Sequence, residues 1–61
     1  MMRTDYAAEA ARHRNVAEEF RTLAACTTRN RLRDAYQRLA ADYDVLAEIE
    51  DQVSRDLKLS N

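Results

Sequence analysis

Cys26-Thr27-Thr28-Arg29-Asn30 is the stretch that decides how this chain folds. Among 61 residues there is no glycine and no proline, so the two residue types that ordinarily interrupt a helix are missing. The chain is therefore either one continuous helix or a hairpin that bends where helical preference is weakest. Two threonines and an asparagine are poor helix formers whose side chains compete for backbone groups. The apolar stripes on either side also lose phase here. Both observations predict a break at residues 26–29 and an all-α, antiparallel helical hairpin rather than a rod.

Working outward, helix one is expected over about 4–25, with Thr4 or Asp5 as its N-cap. Its apolar face is Tyr6, Ala10, His13, Val16, Ala17, Phe20, Leu23 and Ala24, a helical period. Helix two is expected over about 29–58, capped by Thr28 or, next, Asn30. Leu32, Tyr36, Leu39, Tyr43 and Leu46 alternate at four and three residues as a heptad seam, which Val53 and Leu57 resume after Glu50. The whole of 1–61 reads as one helical-hairpin domain.

The two helices echo each other. Ala17-Glu18-Glu19-Phe20 and Leu23-Ala24 reappear as Ala40-Ala41-Asp42-Tyr43 and Leu46-Ala47, offset by 23 residues. Each helix thus carries a small edge (Ala17 and Ala24; Ala40 and Ala47) and a bulky edge (Phe20 and Leu23; Tyr43 and Leu46). Small edges let backbones approach, and bulky edges fill space against further helices. Two edges per helix imply two neighbours per helix, so the hairpin is expected to dimerise into a four-helix bundle. Phe20, Leu23, Tyr36, Leu39, Tyr43, Leu46, Val53 and Leu57 form the expected core and oligomer seam.

Size points the same way. A chain of about 60 residues buries only ~60% of the surface its unfolded form exposes, and this one has neither a disulfide framework nor a zinc-ligand spacing to compensate. Folding at residue 28 pairs positions whose numbers sum to about 56. Phe20 is then level with Tyr36, His13 with Tyr43, and Tyr6 with Glu50. At ~1.5 Å per residue the longer second helix overhangs the first around Val53, Leu57 and Leu59.

The net charge is −1, so no global field draws the chain to nucleic acid or anionic lipid. The charge is polarised along the chain: residues 1–38 carry eight arginines and five acids, residues 39–61 two bases and six acids. Arg21, Arg29, Arg31, Arg33 and Arg38 gather around the turn and are the candidate interaction surface, because convergent guanidinium groups suit anionic partners. Aromatic side chains interleaved for base stacking are missing there. The single cysteine fits a reducing compartment. Met1-Met2-Arg3-Thr4-Asp5 lacks the apolar run of a signal peptide, and no stretch approaches the ~20 apolar residues of a membrane span. A cytoplasmic location is expected.

No catalytic or ligand-binding motif stands out. There is no activated serine, no interpretable Cys-His pair and no phosphate-cradling loop. His13 shares a helix face with Glu9, and Glu50 could approach it across the hairpin. A di-metal bundle, however, needs Glu-x-x-His contributed twice, so His13 is expected to be a hydrogen-bonded seam residue. Cys26 is expected to be a small buried thiol or an ordinary loop residue, since a helix C-terminus has the wrong dipole sign for a thiolate. Glu50 is expected to bond the Tyr6 hydroxyl, with a role in fixing register as the other option. Asp42, Asp44, Glu48 and Asp51 read as a solvated face. No catalytic residue, cofactor or metal is expected.

Residues 17–24 (Ala-Glu-Glu-Phe-Arg-Thr-Leu-Ala), Leu32-Arg33 and the run Tyr36 to Ala47 are similar to short uncharacterised bacterial α-helical hairpin proteins. The resemblance covers roughly residues 14–50 and implies a hairpin without implying an activity. Those proteins carry Asp-Pro-Glu at the turn, where this chain has Arg29-Asn30-Arg31.

Together these features predict a non-enzymatic helical interaction or oligomerisation protein. It would act as a homo-oligomer, a dimer first, with room for a further protein partner. A nucleic-acid-binding regulator using the arginine-rich turn is the alternative, and no membrane role is expected.

Overall fold

Asp5 opens the first helix. Its backbone is extended, and its carboxylate accepts the Ala8 N–H at 3.1 Å, satisfying one of the donors a helix start leaves unpaired. In the computed structural model, which describes residues 4–59, α1 then runs Tyr6–Ala25 and α2 runs Asn30–Leu59. The first three and last two residues of the expected 1–61 domain lie outside the described residues. The described residues form an all-α, two-helix hairpin with its turn at 26–29, where the sequence placed it.

The turn closes without a left-handed residue. Cys26 stays in the right-handed region, at φ −91° and ψ −3°, and its N–H reaches back to the Thr22 carbonyl at 3.1 Å. The Thr27 hydroxyl donates to the Leu23 carbonyl at 2.5 Å and occupies one of the carbonyls left open at the end of α1. The expected Thr28 cap does not form. α2 starts at Asn30, which puts Arg29 at the N-cap position, its carbonyl accepting the Arg33 N–H at 2.9 Å.

Alanine holds the two helices together. Ala10, Ala17 and Ala24 on α1 and Ala40 and Ala47 on α2 are the buried hydrophobic residues, each at most 4% exposed. They recur every seventh position, so each set stays on one stripe of its helix. No large side chain is fully buried among the described residues. None of the expected seam residues is fully buried within the hairpin. The small edges meet inside the hairpin, while Leu23, Leu39, Leu46 and Leu57 remain exposed at 39–50%.

The flanks of the alanine stripe differ. At roughly 100° per residue, Arg14 and Arg21 on α1 and Asp44 and Asp51 on α2 fall to one side. There Arg14 pairs with Asp51 and Arg21 with Asp44 across the hairpin. His13 and Phe20, with Tyr36 and Tyr43, fall to the other. Their rings interleave: Tyr36 to Phe20 at 6.0 Å, Phe20 to Tyr43 at 5.7 Å, Tyr43 to His13 at 5.6 Å between centroids. The expected neighbours Phe20–Tyr36 and His13–Tyr43 are present. The expected Tyr6–Glu50 contact is not, because Glu50 follows Tyr43 by one heptad and meets His13 instead.

The molecule measures 49 × 17 × 14 Å, with a radius of gyration of 14.5 Å. A compact domain of this length would have about 10 Å. The hairpin is one helix layer thick, and no described residue covers either broad face.

Candidate functional site

The aromatic flank is largely apolar. Beyond His13 and Phe20, α1 turns Val16 and Leu23 to the same side. Beyond Tyr36 and Tyr43, α2 turns Leu32, Leu39, Leu46 and Val53 to it, with Ile49 further round. Leu32 is 43% exposed and Ile49 56%. The half-buried rings form the floor, and exposed leucines from both helices form its two margins. The opposite flank carries the cross-helix ion pairs, so the hairpin is amphipathic as a whole body and not merely helix by helix.

A polar cluster interrupts this face near the open end of the hairpin. Glu9, Arg12 and His13 come from α1, since positions three and four apart share one side of a helix. Glu50 comes from α2, one heptad beyond Tyr43. His13 Nδ1 lies 2.6 Å from Glu50 Oε1, and both side chains are nearly enclosed at 12% and 13% exposure. Arg12 Nη2 lies 2.6 Å from Glu9 Oε2 and 3.2 Å from His13 Nε2. A guanidinium can only donate. Nε2 therefore accepts, and Nδ1 carries the proton and donates it to Glu50. The hydrogen bond from Arg12 holds the Glu9 carboxyl below its ordinary value, and the same bond holds the Arg12 guanidinium more firmly protonated. His13 is the hydrogen-bonded seam residue that the sequence predicts, with a partner the sequence assigned elsewhere.

The arginines of the turn do not converge on one patch. Arg21 is bound by Glu18 at 2.9 Å and by Asp44, and these hydrogen bonds raise its pKa. Arg33 lies 3.7 Å from Asp34 and shares with Arg21 the rim of a groove floored by Ala24 and Ala40. Arg31 and Arg38, seven apart, point along the outer side of α2, away from the alanine stripe. Arg29 stands in the turn. Cys26 is an exposed free thiol beside it.

The four-acid face is also divided. Asp44 and Asp51 are consumed by cross-helix pairs, leaving Asp42 and Glu48 exposed on α2. These pairs escape a reading of the sequence made at a register of 56. In that register Arg14 is level with Asp42, whereas the structure takes it to Asp51. The readable signal is a shared seven-residue step, Arg14 to Arg21 against Asp44 to Asp51.

No helix among the described residues is long and apolar enough to cross a membrane. No family model, curated protein or solved structure matches the chain. Its function therefore has to be read from its own residues.

Proposed function

We propose that the chain is a non-enzymatic interaction and oligomerisation protein whose working form is a homodimer, two hairpins apposed face to face as a four-helix bundle. One observation carries this reading: the exposed leucines of both helices lie on the same side as the aromatic row, with no large side chain fully buried among the described residues. The face runs along a body 49 Å long, and a standard stable interface buries roughly 800 Å² per partner. Apolar patches on monomers are rarely larger than a few hundred Å². A second copy is the occupant this face suits, because its own ring floor and leucine margins offer the same heptad spacing in return. A bundle of this kind presents its charged flanks outward, and the Cys26 thiol suits a reducing compartment such as the cytoplasm.

Light scattering at several concentrations tests the proposal. A mass of two chains that dissociates in the double variant Leu39→Glu/Leu46→Glu is expected. A wild-type chain that stays monomeric and cooperatively folded throughout would overturn it. The arginines of the turn remain the place for an anionic partner of such a dimer, and nucleic acid is the second reading. Arg29, Arg31 and Arg38 have no ion-pair partner among the described residues. Phosphate contacts weaken steeply with salt, so binding that survives high salt and an Arg29/Arg31/Arg33 triple-alanine change would remove that reading.

A further inference from the structure

We propose that Glu9, His13 and Glu50 form a binding site for a divalent transition-metal ion of the Zn(II) type, with Arg12 acting as the resident cation that the ion displaces. One oxygen from each carboxylate and one imidazole nitrogen lie within 4.8 Å of one another. Ligands two to three ångströms from a common centre need only small side-chain rotations from that arrangement. Glu9 and His13 come from one face of α1 and Glu50 from α2, so an ion held by all three would clip the open end of the hairpin. The site lies within one chain and does not depend on the dimer.

The charge balance of the cluster supports a cation. Two carboxylates and an imidazole face one guanidinium. His13 and Glu50 are nearly enclosed, where uncompensated charge is costly. The Arg12 side chain is 60% exposed, so it can leave for water at little cost. Its Nη2, within 3.2 Å of Glu9 and His13, already marks where a positive centre is welcomed. Imidazole with carboxylates is a donor set for zinc, cobalt, iron or manganese rather than for copper(I). Three protein ligands leave a position for water. A single histidine falls short of a di-metal bundle, but a mononuclear ion asks for no more. Binding at Nε2 exchanges the Arg12 contact for the ion and leaves the Nδ1–H bond in place; binding at Nδ1 requires that proton to move to Nε2, which Arg12 vacates.

Cobalt(II) titration of the full chain, followed by visible d–d absorbance and checked by zinc competition, tests the site. One ion per chain is expected. Glu9→Gln and His13→Gln are expected to weaken it by at least about tenfold, the scale on which such partners matter. Arg12→Ala is expected to tighten it, by up to about tenfold, through loss of the competing cation. Glu9 makes no hydrogen bond to α2, so Glu9→Gln tests the site without disturbing the hairpin, and circular dichroism verifies this. Absence of an absorbance change at millimolar cobalt in both wild type and Arg12→Ala would overturn the proposal. So would binding unchanged by His13→Gln, or a thiolate charge-transfer band that places the ion on Cys26.

Discussion

Ala17 and Ala47 are almost fully enclosed where the helices touch, and their methyl groups set how near the backbones can come. Replacing either with leucine should force the helices apart and cost about 1–3 kcal/mol, as overpacking does, read from urea denaturation. The same change at exposed Ala7 should cost little. Glu9 supplies a pH dependence. Its folded carboxyl lies below the ordinary range because Arg12 bonds the ionised form, so the unfolded chain takes up this proton first. The contribution is fully present above the ordinary glutamate value near about 4.3 and is lost as acid passes through the depressed folded value. Stability should thus fall with pH in that window, less steeply in Arg12→Ala. Alanine as spacer was legible from the repeat, since Ala17-Ala24 and Ala40-Ala47 recur in step. The partner of Glu50 was not. Choosing between Tyr6 and His13 requires the register to within half a heptad, and a turn without glycine or proline gives no fixed geometry from which to count.

Each helix is specified by its own sequence, but the two begin with unequal support. α1 has Asp5 as an N-cap and Glu9 in its first turn, both favourable to the exposed N–H groups and the helix dipole. α2 has no acid in its first turn, and Arg29 stands at its cap. Asp5→Ala should cost about 1 kcal/mol. Arg29→Asp should raise the melting temperature, since it replaces an unfavourable charge with a capping carboxylate. A scanning calorimeter distinguishes the two directions. The extents of both helices were readable because nothing but Cys26-Thr27-Thr28-Arg29 opposes helix anywhere between Tyr6 and Leu59. α2 begins at Asn30, next to the expected start of about 29, and the Thr27 hydroxyl turns back to the Leu23 carbonyl.

At the scale of the whole molecule, the inner alanine stripe and the outer apolar flank follow the small and bulky edges read from the 23-residue echo. What the period alone leaves open is what covers the bulky edge, since an apolar stripe satisfies the helical period whatever packs on it. The structure assigns the small edges to the hairpin and leaves Leu23, Leu32, Leu39 and Leu46 outside. If those leucines are covered by a second copy, the melting midpoint should climb with protein concentration, as it does whenever folding and association are linked. In Leu39→Glu/Leu46→Glu that dependence should vanish.

The turn itself carries one more consequence. No described residue adopts a positive φ, and Cys26 already has helical angles, so nothing steric locks the bend. Only Thr27, Thr28 and Arg29 would have to change for α1 to run straight into α2. A straightened chain could lay its second helix along the first helix of a neighbour and recover the same alanine and ring contacts. A bend that lacks a glycine to anchor it thus sets no steric bar against helix exchange between copies.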